Sequence, residues 1–149
     1  MSAPVDSLRD AVVRRAGNRC EYCQLPAQFQ VGGFEVDHIL PRVRGGQTEM
    51  ANVALACPHC NARKWAHVDG EDAASGQRVA LFNPRTQQWG EHFQWSVQHP
   101  FEIVGISAYG RVTVARLQMN HPDLVSIRRL LAALGISWKA EAIKRANSA

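Results

Sequence analysis

The chain predicts an α+β fold: a β-hairpin and a helix pinned by a metal, with a helix before them and an α/β extension after them. Three observations carry this. Four cysteines form two C-x2-C pairs, Cys20/Cys23 and Cys57/Cys60, 33 residues apart. Between the pairs, an alternating segment, a Gly-Gly loop and a second apolar segment read as strand, loop and strand. Proline follows Cys57, where a helix starts most easily.

Each element has its own signal. Val5, Leu8, Ala11 and Val12 recur at helical spacing, Ser7–Asp10 resembles a capping box, and Gly17 closes the helix. Residues 24–34 look irregular, with Pro26 and Gly32-Gly33 as breakers. Residues 34–40 alternate as a short strand that ends near Pro41. Residues 42–48 contain Gly45-Gly46 and read as a surface loop. Residues 52–57 return toward the metal, and a helix follows over about 58–66. The acidic run Asp69-Gly70-Glu71-Asp72 is expected to be exposed, and Asn83-Pro84 turns the chain after apolar residues 79–82. Trp89, Phe93 and Trp95 supply core side chains. Residues 102–106 read as a strand, Tyr109-Gly110 as a turn, and a helix is expected from Thr113. Leu124, Ile127, Leu130, Leu131 and Leu134 form an amphipathic helix closed by Gly135. No linker separates domains, so the expectation is one domain over 1–149, its core at about 14–66 and its extension, about 67–149, packing on that core.

Hydrophobic residues make up 46% of 149, enough for a core and against wholesale disorder. No segment approaches the roughly 20 apolar residues needed to cross a bilayer, and the start lacks a secretory pattern. A cytoplasmic protein without a membrane partner is expected. The formal charge is +4. Four thiolates around one divalent zinc would lower it to about +2, so basicity alone argues weakly for a nucleic-acid partner. Where the basic residues cluster matters more: Arg9, Arg14, Arg15 and Arg19, then Arg42 and Arg44, Arg63 and Lys64, and Arg128 and Arg129.

Two disulfides in a secreted scaffold, or a redox pair, could also use these cysteines. The absent leader and low cysteine density disfavour the first, and the second needs one pair rather than two. Two short-spaced pairs can close on one tetrahedral Zn2+. His59 could replace one cysteine in a Cys3His set, but Cys57 and Cys60 are the better-spaced pair. His59 therefore reads as a surface or phosphate-near residue.

The run Cys20-Glu-Tyr-Cys23, Val36-Asp37-His38-Ile39-Leu40-Pro41, Gly45-Gly46, Asn52-Val-Ala-Leu and Cys57-Pro-His-Cys60-Asn61-Ala-Arg-Lys64 resembles the HNH endonuclease family, with its ββα-metal fold. Further on, Asp72, Gly76, Leu81–Arg85, Trp89, His92-Phe93, Trp95 and Gly110–Thr113 are similar to the downstream part of a four-cysteine, zinc-containing bacterial or phage-type subfamily. Trp65-Ala66-His67 departs from it. The resemblance implies a metal-dependent DNA endonuclease. It implies His38 as general base and Asp37 and Asn61 as ligands of a catalytic divalent ion, Mg2+ or another such as Mn2+. It implies Asn52 as the brace of the loop and the four cysteines as a structural zinc site. Adjacent strand residues point to opposite faces, so Asp37 and His38 share a site only if the chain twists there. Arg42, Arg44, Arg63 and Lys64 are candidate phosphate contacts; Arg85 and His92 either complete the site or brace the extension. The alternative is a zinc-stabilised DNA-binding module without catalysis. A zinc deaminase is disfavoured, because four cysteine ligands leave no coordination position open. Cleavage of both strands by one site calls for two successive nicks or a homodimer, and a protein partner could supply specificity.

Overall fold

The computed structural model describes residues 4–136. Within them the elements run α1 (Val5–Ala16), β1 (Glu35–His38), β2 (Val53–Ala56), α2 (Pro58–Lys64), β3 (Asp69–Glu71), β4 (Arg78–Ala80), α3 (Trp89–His92), β5 (Phe93–Trp95), β6 (Ile103–Gly105), α4 (Ala108–Arg116) and α5 (Pro122–Ala133). The strands pair as three two-stranded antiparallel sheets, β1–β2, β3–β4 and β5–β6, so the fold is α+β. Two compact units result: one up to Val68 together with Asn83–Thr86, the other Asp69–Phe82 together with the chain from Gln87 on. The expected extension ran to residue 149, and its part beyond 136 lies outside the described residues.

In the first unit, α1 starts at Val5 behind Pro4, not at a Ser7 capping box. Ser7 lies inside the first turn, where its hydroxyl donates back to the Pro4 carbonyl at 2.7 Å. Gly17 ends the helix in the left-handed conformation. The hairpin is regular, with Glu35 opposite Ala56 and His38 opposite Val53. All four β2 residues are buried, since α1 and α2 both pack on that strand. Burying Val53 and Leu55 contributes about 1.5–3 kcal/mol each, which makes β2 the apolar anchor of this unit. The early arginines tie the unit together from within. Arg15 donates to the Met50 and Val53 carbonyls, both at 2.6 Å. Arg9 donates to the Phe34 carbonyl, and Arg19 is buried. The cluster that looked like a nucleic-acid patch is mostly fastening.

In the second unit, Phe82, Trp89 and Phe93 form an aromatic core. Phe82 meets Phe93 edge-on at 5.1 Å and Trp89 stacks on Phe93 at 5.1 Å. Three expectations are corrected here. The acidic run is solvated only in part: residues 69–71 form β3 with Glu71 exposed and Asp69 half-buried, while Asp72 is buried beneath the two-pronged Arg111 guanidinium at 2.9 and 3.0 Å. Tyr109-Gly110 is not a turn but the first turn of α4, which starts at Ala108, capped by the Ser107 hydroxyl. Gly110 is required by close packing, because a Cβ there would lie 1.9 Å from the His92 carbonyl oxygen. Finally, Arg128 is fully buried on the Phe101 and Met119 carbonyls, at 2.9 and 2.7 Å, and offers nothing to a polyanion.

Candidate metal centre and active site

The four cysteine sulfurs all lie within 4.8 Å of one another, and all four residues are buried. Cys23 and Cys57 Sγ are 3.8 Å apart. A tetrahedron with about 2.3 Å Zn–S bonds has edges of about 3.8 Å, so the cluster has the size of a zinc site. The two knuckles match each other locally. The Cys23 amide donates to Cys20 Sγ, and the Cys60 amide to Cys57 Sγ, both at 3.4 Å. Amide donors of this kind stabilise thiolates. Burial pushes the Cys20 thiol well up, and hydrogen bonding with the neighbouring sulfurs pushes up Cys60. A divalent cation is what reverses both tendencies and lets thiolates share so small a volume. The donor set is therefore consistent with a structural zinc. Glu21 ties the first knuckle to β2: its amide donates to the Leu55 carbonyl, and its carboxylate accepts the Leu55 amide, each at 2.8 Å.

The zinc-side helix α2 and the hairpin meet at Asp37. This carboxylate is 5% exposed, faces inward, and accepts the Tyr22 hydroxyl at 2.7 Å. The Lys64 ammonium lies 3.1 Å from its Oδ2. Lys64 is itself buried, and its amine also donates to the His38 and Ile39 carbonyls at 3.0 and 3.2 Å. The phosphate contact expected of Lys64 is thus corrected: its three contacts clamp the last turn of α2 to the end of β1. Burial pushes the Asp37 carboxyl up, and the Lys64 charge and the Tyr22 hydrogen bond pull it back only in part.

His38 faces a different way. Its ring is partly exposed, and Nε2 lies 2.7 Å from the buried Thr48 hydroxyl. Strand β1 is unbulged through His38, and the two side chains bond different groups, Asp37 to Tyr22 and Lys64 and His38 to Thr48. Burial lowers His38 below the ordinary imidazole value; Asp37 opposes this, while Arg42 and Lys64 reinforce it. The neutral ring is favoured near pH 7.

Asn52 braces the loop. Its Oδ1 accepts the Leu40 amide at 2.9 Å, and its Nδ2 donates to the Leu40 and Gln47 carbonyls at 3.1 and 2.8 Å. The glycine pair in that loop is explained by the same brace. Gly45 sits at φ +91°, and a Cβ on Gly46 would lie 1.7 Å from the Leu40 carbonyl oxygen. Asn61 lies on α2, half-buried and three residues before Lys64. Arg42 and Arg44 are exposed and Arg63 is half-buried. Arg85 pairs with Glu21 and is largely enclosed, so it braces the first knuckle. His92 belongs to the second unit, where Nδ1 meets the Ser107 hydroxyl at 2.6 Å between Phe82 and Tyr109. Tyr22 and Thr48 were not foreseen. A tyrosine inside a cysteine knuckle and a threonine after a Gly-Gly loop carry no spacing that points to Asp37 or His38.

Residues 20–66 match the family model described as HNH endonuclease. The chain is also similar to the Septu protein PtuB of Bacillus thuringiensis, 23% identical over 123 residues, which cover 81% of this chain and 44% of that protein. The chain thus spans less than half the length of that relative. No solved structure gives a significant match. Among the described residues, no helix is long and apolar enough to cross a membrane. The matched segment holds both knuckles, the hairpin and α2, and the family it resembles is one of endonucleases.

Proposed function

We propose that the chain is a divalent-metal-dependent DNA endonuclease that hydrolyses phosphodiester bonds, leaving a 5′-phosphate and a 3′-hydroxyl. The observation that carries this reading is His38: a partly exposed imidazole, biased to its neutral form, held on Thr48 at the end of β1. A neutral imidazole that donates Nε2–H to Thr48 keeps a lone pair on Nδ1, which can take the proton of an attacking water. Thr48 fixes the ring, Asn52 fixes the loop that carries Thr48, and Lys64 fixes the carbonyls on either side of the strand end. Arg42, Arg44 and Arg63 supply positive charge for phosphates and hold register without reading bases.

Asp37 and Asn61 offer a carboxylate and an amide oxygen, a donor set suited to a hard ion such as Mg2+ or Mn2+. Such an ion, when bound, supplies charge neutralisation at the scissile phosphate and at the leaving oxygen. Lys64 already holds positive charge against Asp37, so it must share or yield that carboxylate. The four cysteines hold a separate zinc with no open position and take no part in the reaction.

The Lys64–Asp37 pair also favours a second reading, a zinc-stabilised DNA-binding module in which lysine permanently fills the cation's place. Cleavage of supercoiled plasmid by zinc-loaded protein with added Mg2+ or Mn2+ separates the two. The endonuclease reading expects nicked or linear product from the wild type and almost none from His38→Ala. DNA that is bound but never cut, with any divalent ion, supports the binding module.

A further inference from the structure

Trp65 has no place in the fold that explains it. It follows α2 directly, and its side chain is 74% exposed. The His67 amide donates to the Lys64 carbonyl at 2.8 Å, closing a turn with Trp65 at its second position. Trp65 sits there at φ +44° and ψ −119°, the backbone of a type II′ turn, which glycine prefers and bulky side chains rarely adopt. Strain at a residue that buries little points to a use outside the fold.

Its surroundings indicate which use. The Arg44 Nε donates to the Ala66 carbonyl at 2.9 Å, joining the Arg42–Gly45 loop to the Trp65 turn. Val43, between two exposed arginines, is 83% exposed. His67 packs edge-on to the indole at 5.8 Å. Residues 42–46 and 63–67 together hold three arginines, the buried Lys64 and a histidine, and no carboxylate. The turn also reaches the His38 end of β1, because Lys64, the residue before Trp65, donates to the His38 carbonyl at 3.0 Å. An exposed aromatic ring on a turn tied to an arginine-bearing loop is the combination that engages unpaired bases: the cations follow the backbone and the ring stacks on a base face.

We propose that Trp65 is a base-stacking contact that holds an unpaired or unstacked nucleotide of the DNA substrate beside His38, resting on the nuclease reading above. Trp65 is then a binding residue whose exposure and strain are kept for the ligand. The indole and the turn make opposite demands, and that gives the test.

Thermal unfolding and fluorescence anisotropy would be measured on zinc-loaded protein without magnesium, with labelled single-stranded and duplex oligonucleotides of one sequence. Trp65→Gly should leave the melting temperature unchanged or raised, because it relieves the turn. It should weaken single-strand binding between about fivefold and about a hundredfold, with a smaller loss on duplex. Trp65→Phe should hold single-strand affinity within about threefold, and Trp65→Leu should not. Wild-type affinity in both Trp65→Gly and Trp65→Leu overturns the stacking role and leaves the indole to a protein partner. Equal losses on both oligonucleotides also overturn it, in favour of a contact that needs no open base. A melting temperature lowered by Trp65→Gly overturns the premise that the fold does not need the ring. Wild-type protein that binds no DNA removes the nuclease reading together with this one. Binding that survives without Trp65 removes this one alone.

Discussion

Replacing Lys64 by methionine tests how the ββα unit is held. The ammonium and the Asp37 carboxylate are 2% and 5% exposed. Lys64→Met keeps the volume and removes the charge, which strands a carboxylate that burial already disfavours. Breaking a buried ion pair from one side costs about 3–5 kcal/mol. The Ile39 and His38 carbonyls also lose a donor, up to about 1 kcal/mol each. Set against a typical total of about 5–15 kcal/mol, this is a large share. The double variant Asp37→Asn with Lys64→Met removes both charges and keeps an acceptor for Tyr22. It should recover most of the loss and lie within about 2 kcal/mol of the wild type. Urea unfolding of the zinc-loaded proteins, with free energies extrapolated to water, measures all four corners of the cycle. A Lys64→Met loss under about 1 kcal/mol, or a double variant as unstable as the sum of the singles, would refute the clamp.

Three further outcomes are expected. Zinc binding is coupled to folding of the first unit, so Cys57→Ser should abolish stoichiometric zinc and lower thermal stability; unchanged zinc content by atomic absorption would contradict the four-cysteine site. The acidic limb of the cleavage rate should fall below the ordinary imidazole value of about 6.5, because His38 is lowered and activity needs its neutral ring; a limb centred above that value would show that another group titrates. In the second unit the Arg111 hydrogen bonds hold the Asp72 carboxyl well below the ordinary carboxylate range. Its stabilisation is complete above the unfolded value of about 3.9 and disappears as pH falls through the depressed folded value. Asp72→Asn should therefore flatten the acid side of the stability curve; a curve of unchanged shape would contradict this.

The chemistry of the first unit was legible because it is local and coded by residue type. Two C-x2-C pairs, proline after Cys57 and a Gly-Gly loop each have one economical structural use, and the hairpin and α2 fall where those signals put them. What stayed hidden was direction. Lys64 reads as a surface cation beside Arg63, yet helix phase turns it inward to Asp37 while Trp65 is left outside. Asp72 reads as a solvated acid, because its partner Arg111 lies 39 residues on. Tyr109-Gly110 reads as a turn, because the His92 carbonyl that requires the glycine is distant in sequence. Long-range pairing decided each of these, and a single chain does not display it. The opposed settings of Asp37 and His38 are the question alternation raises, and the unbulged hairpin sharpens it: the lysine clamp lies between the Asp37 carboxylate and the strand end at His38.

The most direct measurement is the single-turnover cleavage rate of end-labelled DNA by zinc-loaded wild type and His38→Ala at saturating Mg2+, with zinc content checked in both. A general base contributes about 10²–10⁴-fold, so His38→Ala should lose that factor while keeping its zinc, its fold and its affinity for DNA. Cleavage by His38→Ala at the wild-type rate would contradict the account, as would a zinc-loaded wild type that binds DNA and leaves it whole.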